Sequence, residues 1–293
     1  MEFKLLLPTG WQDYELLDSG DGEKLERFGA FTLRRPDPQI LWQRSLPDSD
    51  WKAANASFLR TIGDKGNWHV SGKLPESWEV HWQDLTSFAR LSPFKHTGIF
   101  PEQSAHWQWM REILTEDKKL RPEYQPNILN LFAYTGIASV VCAQAGAKIT
   151  HVDASRSSIG WAKQNQLASG LDERSIRWIL DDVLKFVRRE VSRGVIYDGF
   201  IMDPPVYGHG PTGEKWEFKE SLPQLLELCQ KLLEPKPLFC IINAYAVSTS
   251  AVTLGNLLED MLGESGKTEI GELALQQKSG RMISTGIFAR WRS

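Results

Sequence analysis

From Asn127 onward the chain alternates short apolar runs with segments of helical spacing, and no other feature constrains its fold as strongly. The runs Asn127–Phe132, Lys148–Val152, Ile176–Leu180, Gly199–Met202 and Leu238–Ile242 read as strands. Amphipathic stretches between them predict helices packed on both faces of a mainly parallel sheet. One such helix carries Phe218, Leu222, Leu225, Cys229 and Leu232 on a single face and stops before Pro235. A further helix carries Leu254, Leu257, Leu258 and Met261. Two closing strands, Glu269–Leu275 and Ile283–Trp291, are joined by Gln276-Gln-Lys-Ser-Gly280. That connection is too short for a parallel crossover, so the last strand is expected to run antiparallel. The expected class is α/β: a seven-stranded sheet with an antiparallel last strand, unlike that of a dehydrogenase.

Residues 1–90 read differently. Turn chemistry at Asp18-Ser-Gly-Asp-Gly22 and Pro36-Asp-Pro38, with alternation in Phe31–Arg34 and Trp78–Trp82, predicts a small β-rich N-terminal domain. Its tryptophans (Trp11, Trp42, Trp51, Trp68, Trp78, Trp82) suit either a thin core filled by large rings or a base-stacking surface. Basic residues do not interleave with them, which favours the core. Residues 91–126 form a connecting segment: Lys95-His-Thr-Gly98, a helix over 104–118 opened by Pro101 and Glu102, and a stiff Arg121–Pro126 linker into the α/β domain at 127–293.

Composition excludes more than it selects. A formal net charge of −3 gives no electrostatic argument for nucleic acid, so an RNA partner has to be argued otherwise. Cys142, Cys229 and Cys240 form neither a disulfide framework nor a zinc pattern, and no metal is expected. No apolar stretch is long enough to span a membrane, and the opening Met1–Pro8 is too short and too acidic for a signal peptide. A cytoplasmic setting is expected.

The chemistry gathers where strands end. The first strand runs into Ala133-Tyr-Thr-Gly136, the second ends at Asp153, the third at Asp181-Asp182 and the fourth at Asp203-Pro-Pro205. Any one of these acids alone reads as a helix N-cap; several in phase at one sheet edge read as a ligand site. Asp153, about twenty residues after the glycine turn, is placed to accept hydrogen bonds from ribose hydroxyls. Dinucleotide folds use three glycines to let the backbone approach a pyrophosphate, whereas this turn has one glycine beside bulky Tyr134. A ribose-bearing ligand with an amino-acid tail and no phosphate fits better than NAD.

In order, Asn130-Leu-Phe-Ala-Tyr-Thr-Gly136, Val152-Asp-Ala-Ser155, Asp181-Asp-Val183 and Asp203-Pro-Pro-Val-Tyr207 resemble the first four motifs of class I S-adenosylmethionine-dependent methyltransferases. Among these the chain most resembles the family of 23S ribosomal RNA cytosine-C5 methyltransferases, over about residue 90 to the C-terminus, Lys95–Gly98 included. The resemblance implies a Rossmann-like sheet and S-adenosylmethionine as cofactor. It implies that Phe132, Tyr134, Thr135 and Gly136 cradle the methionine part, and that Asp153, with Ala154 and Ser155, holds the ribose. Asp182 would meet the adenine amino group, Asp203 would lie beside the methyl group, and Gln103 would close over the cofactor. Asp203, Pro204, Pro205 and Tyr207 are the candidate catalytic residues: carboxylate and proline carbonyl accept from a target amine while the ring stacks on the base. The glycine-rich loop Gly208–Trp216 is expected to move over substrate, with Lys215, Trp216 and also Lys95 as contacts.

One departure matters. Methylation at cytosine C5 needs a cysteine thiolate, which the resembling family carries just after the fifth strand, where this chain reads Asn243-Ala-Tyr-Ala-Val247. Transfer to a nitrogen or oxygen is therefore expected, most simply on RNA such as ribosomal RNA. A small molecule or protein as substrate, and an inactive cofactor-binding RNA module, are the competing readings.

Overall fold

A computed structural model describes residues 1–61, 66–172, 176–263 and 266–293. In chain order the elements begin with β1 (Glu2–Leu6), β2 (Tyr14–Gly20), β3 (Glu23–Phe28), β4 (Phe31–Pro36), α1 (Asp48–Lys52), β5 (Ala56–Arg60), β6 (Gly66–Val70), β7 (Trp78–Trp82) and β8 (Leu85–Ala89). There follow α2 (Ser104–Leu120), β9 (Asn127–Leu131), α3 (Ile137–Gln144), β10 (Lys148–Asp153), α4 (Arg156–Ala168), β11 (Ile176–Leu180) and α5 (Val183–Ser192). The chain closes with β12 (Gly199–Met202), β13 (Tyr207–His209), β14 (Lys215–Glu217), α6 (Phe218–Gln230), β15 (Phe239–Ala244), α7 (Ala251–Leu262), β16 (Lys267–Gln276) and β17 (Met282–Arg292). These group into two compact units, one of Met1–Leu6, Ala105–Leu273 and Thr285–Ser293, the other of Leu7–Ser104 and Ala274–Ser284.

The first unit is built on a sheet of order β1-β16-β17-β15-β12-β9-β10-β11. β9, β10, β11, β12 and β15 are mutually parallel, and β17 runs antiparallel to β15, which is the antiparallel close expected of the last strand. Strands buried on both faces read as continuous apolar runs: all four residues of β12 and all six of β15 are buried. Leu131, Val152, Phe186, Phe200, Met202, Leu225, Ile242 and Leu258 belong to one core cluster. The sheet has eight strands rather than seven. The extra one is β1, parallel to β16 with Glu2 opposite Glu269 and Leu6 opposite Leu273. Residues 1–6 thus lie outside the N-terminal β-rich group in which the sequence pattern places them, because nothing local marks a pairing partner some 265 residues away.

Strand order fixes where a ligand can sit. The chain passes from β9 outward through β10 and β11, then returns to the other side of β9 for β12 and β15. The crevice at the carboxyl end of β9, between β10 and β12, is the topological switch point of such a sheet.

The second unit holds a five-stranded sheet, β2-β3-β4-β5-β6, and a two-stranded one, β7-β8. Trp51, Trp78 and Trp82 are buried here. Their indole N–H groups donate to Asp18 Oδ2 at 3.1 Å, the Phe28 carbonyl at 2.9 Å and the Thr9 carbonyl at 2.6 Å. Trp11, Trp42 and Trp68 are half-buried, and each donates to a backbone carbonyl. The rings fill a thin β core, each with its one donor satisfied. Beneath them Glu26, fully buried, accepts from Arg35 at 2.7 and 2.8 Å and from the Tyr14 hydroxyl at 3.0 Å. Among the described residues no helix is long and apolar enough to cross a membrane.

Candidate functional site

β9 ends in an abrupt turn. Phe132, Tyr134 and Gly136 take positive φ angles of 54°, 47° and 74°, a conformation that disfavours side chains and here appears three times in five residues. The turn is held from below. Ala133 N–H donates to the Val152 carbonyl at 3.1 Å and Gly136 N–H to the Ala133 carbonyl at 3.0 Å. Asn165, buried on the inner face of α4, donates to the Thr135 carbonyl at 2.9 Å. A methyl group on Gly136 would stand 2.7 Å from Ala162 Cβ and 3.2 Å from His151 Cε1. Gly136 is thus set by close packing on α4 and by its left-handed φ, and Thr135 is likewise buried. Phe132, Ala133 and Tyr134 are half-buried, with the Tyr134 ring centroid 6.2 Å from that of Trp161.

Under the turn lies a polar chain that the sequence pattern did not single out. Asn130 donates to Ser139 Oγ at 2.9 Å, and Ser139 Oγ lies 3.1 Å from His151 Nδ1. His151 is fully buried, and burial pushes its pKa down to about 3, so the ring is neutral and supports the turn without charge.

Asp153, at the end of β10, binds the turn directly. Its Oδ2 accepts the Tyr134 N–H and its Oδ1 the Ser155 N–H, both at 2.8 Å. An ionised carboxylate has about four acceptor positions. Two are filled, and the remaining lone pairs can receive a pair of hydroxyl donors. Burial raises the Asp153 pKa, against the lowering effect of the Ser155 and Tyr134 N–H groups. Ser155 caps α4 through a 3.2 Å bond from Ser158 N–H. Asp182 does the same for α5, accepting from Lys185 N–H at 2.9 Å. Asp181 pairs with Arg189 and accepts Asp182 N–H at 2.8 Å. Each of these acids is a cap or turn ligand, and all stand half-exposed at one edge of the sheet.

β12 is next to β9, with Met202 opposite Leu131, and Asp203 N–H donates to the Leu131 carbonyl at 3.4 Å. Asp203 is half-buried, Pro204 buried and Pro205 exposed, and the Tyr207 ring is 70% exposed. Trp216 is a different matter. It is 5% exposed, its indole N–H donates to the Pro205 carbonyl at 2.7 Å, and its ring centroid is 4.6 Å from that of Phe132. Its place is between the two strand exits, inside the protein, where an exposed loop contact was expected. The segment read as a loop is a hairpin, with Tyr207 opposite Glu217 and His209 opposite Lys215. Lys215 is exposed. Two residues of this region, Lys185 and Glu214, were not foreseen; they pair across it.

The remaining candidates belong to the second unit. Lys95 is half-buried, burial lowers its pKa, and its carbonyl accepts from Arg35 at 3.2 Å. Gln103 is in a short 3-10 turn, Pro101–Gln103.

The three cysteines are all buried. Burial pushes Cys142 and Cys229 up to about 12 and Cys240 well above the ordinary thiol range. Asn243, 1% exposed, is the penultimate residue of β15, and none of the residues Asn243–Val247 is a cysteine.

No family model matches the chain. It is 36% identical over 147 residues to a ribosomal RNA large subunit methyltransferase K/L of Shewanella frigidimarina, a match covering 50% of this chain and 19% of that protein. A protein of the same description from Syntrophotalea carbinolica is 28% identical over 172 residues, 58% of this chain and 22% of its own length. The chain thus spans about one fifth of these curated relatives. A solved structure from Agrobacterium tumefaciens, described as a SAM-dependent methyltransferase, is 38% identical, with a TM-score of 0.92 over 99% of this chain and 95% of that one. A methyltransferase termed SMU.776, solved in complex with SAH, shares the fold at 18% identity with a TM-score of 0.71, covering 97% of this chain and 76% of its own. The motif resemblance and the sheet agree with the near full-length match: this chain belongs to the S-adenosylmethionine-dependent methyltransferases.

Proposed function

We propose that the chain methylates RNA, ribosomal RNA in the first instance, at a nitrogen or oxygen atom. The observation that carries the choice of atom is the pairing of a half-exposed Asp203 and an exposed Tyr207 with three deeply buried thiols. A carbon target would need a thiolate at the site, and burial holds every cysteine protonated.

In this reading Phe132 and Tyr134 flank the methionine part, supported by Thr135 and Gly136 beneath. Asp153, with Ala154 and Ser155, takes the ribose hydroxyls, and Asp182 the adenine amine. The cofactor supplies a methyl group on a positively charged sulfur. Asp203 accepts a hydrogen bond from the target atom, as does the proline carbonyl of Pro204, which draws the target's lone pair toward the methyl group. Pro205, its carbonyl tied to Trp216, fixes the direction of the strand exit. Tyr207 offers its ring to a base, and Lys215 its charge to phosphate. The rate gain comes mainly from in-line positioning.

The RNA substrate is supported by the names of the relatives that match half of the chain, and the mild net charge of −3 leaves a small molecule or protein as the rival. The full chain is incubated with isotope-labelled S-adenosylmethionine and total RNA from a strain lacking the gene, and digested nucleosides are separated by mass spectrometry. A labelled N- or O-methyl nucleoside is expected. Label in 5-methylcytidine would overturn the choice of atom, and label confined to protein or metabolites would overturn RNA.

A further inference from the structure

The hairpin β13–β14 reaches from the Asp203-Pro204-Pro205 exit to the start of α5, and its two ends are fastened in different ways. At the base, buried Trp216 holds the Pro205 carbonyl. At the tip, Gly210 N–H donates to the Glu214 carbonyl at 2.9 Å, Gly213 N–H to the Gly210 carbonyl at 3.1 Å, and Thr212 N–H to Glu214 Oε2 at 3.0 Å. This tip folds onto Asp182. A methyl group on Gly210 would come 3.0 Å from Asp182 Cβ and 2.3 Å from Glu214 Oε2, so a side chain here would crowd Asp182 and displace the Glu214 carboxylate. One side chain then closes the gap. Lys185 Nζ donates to Thr212 Oγ1 at 3.1 Å and pairs with Glu214, while Lys185 N–H is held by Asp182 Oδ1 at 2.9 Å.

We infer that Lys185 is a positioning residue: its ammonium latches the hairpin tip over Asp182 and thereby sets where Tyr207 stands at the substrate edge. The inference rests on the reading that Asp182 belongs to the cofactor site and Tyr207 to the substrate site. Lys185 lies outside both sets, and its ammonium group bonds to the hairpin at Thr212 and Glu214. The contact is half in solvent, with the Lys185 side chain 48% exposed, so the latch opens readily and is weakened by salt.

Amide hydrogen exchange on the full chain without cofactor tests the latch without any turnover. In Lys185→Ala the Thr212 and Glu214 amides should exchange about two- to fivefold faster, the range of an exposed ion pair. Lys185→Arg should retain most of the protection, and the exchanged pair Lys185→Glu with Glu214→Lys should recover part of it. In turnover, Lys185→Ala should raise KM for RNA by about the same two- to fivefold factor with kcat nearly unchanged. Unchanged exchange in Lys185→Ala, in a chain that still binds S-adenosylhomocysteine, overturns the latch alone. If the wild-type chain fails to bind S-adenosylhomocysteine, the site reading falls and the inference falls with it.

Discussion

Asp153 Oδ2 accepts the Tyr134 backbone N–H at 2.8 Å, so the acid that ends β10 also pins the turn that leaves β9. One carboxylate therefore shapes the cradle and presents lone pairs to it. Replacing Asp153 by Ala should lower affinity for S-adenosylhomocysteine by roughly 10- to 100-fold, the loss of about 1.5–3 kcal/mol for hydrogen bonds to a charged group. Titration calorimetry reads this directly, and an unchanged affinity would remove the ribose role.

The same residue sets a pH dependence of two signs. Burial raises its pKa above 3.8 in the folded chain, so the folded state holds this proton more tightly than the unfolded one. Its contribution to stability is thus present below 3.8 and lost as pH rises through the raised value. Accepting from ribose requires the ionised form, so affinity should fall as pH drops through that value. Calorimetry across this window should show the fall in the wild-type chain and a flat profile in Asp153→Asn.

Trp216 joins two strand exits, and its removal should be felt in stability. Trp216→Phe keeps the ring against Phe132 but strands the Pro205 carbonyl, costing about 1–2 kcal/mol. Trp216→Ala should cost about 3–5 kcal/mol. Urea unfolding measures both, and a neutral Trp216→Ala would show that the indole is not part of the core.

With every thiol buried, a chain carrying Cys142→Ala, Cys229→Ala and Cys240→Ala should still transfer methyl groups, at some loss of stability. RNA containing 5-fluorocytidine should form no covalent adduct with the unaltered chain. A trapped adduct that disappears in Cys240→Ala would reinstate carbon chemistry.

In the second unit Glu26 is buried against Arg35. Desolvation works to raise its pKa, but Arg35, with Lys24 and Tyr14, outweighs it and holds Glu26 at about 2 rather than 4.5. The pair's stabilisation is thus complete above 4.5 and is lost as pH falls toward 2. Arg35→Met, which leaves the buried carboxylate with only Tyr14 and the more distant Lys24, should destabilise by roughly 3 kcal/mol at neutral pH. Urea unfolding at pH 7, 5 and 3 should show a shallower acid dependence in a Glu26→Gln, Arg35→Met double variant than in the wild-type chain.

Legibility followed the range of the physics. Apolar runs and helical spacing are local, so β9, β10, β11, β12 and β15 and the antiparallel β17 were readable to within two residues of their ends. Strand-end acids were readable too, because their chemistry needs only residue type and phase. β1 was not readable, since its five residues gain an identity only by pairing with β16. The short α1 was missed for lack of a periodic signal. Trp216 looked like a loop contact because its neighbours are glycines and charges, and only the fold turns it inward onto Pro205. Asn165, Ser139 and His151 show as polar residues at buried positions of α4, α3 and β10, a signal that exists only once the helices are placed on the sheet.

By itself the sequence determined the alternating α/β pattern, the antiparallel close, the row of acids at one sheet edge and the lack of a thiol after the fifth strand, all carried by near-neighbour periodicity and residue chemistry. Tertiary structure alone decided the eighth strand, the packing that dictates Gly136, the inward turn of Trp216 and the pairing of Lys185 with Glu214. Each of these joins residues distant in sequence, and such pairings are settled by the burial and hydrogen bonding of the whole chain, not by any local preference.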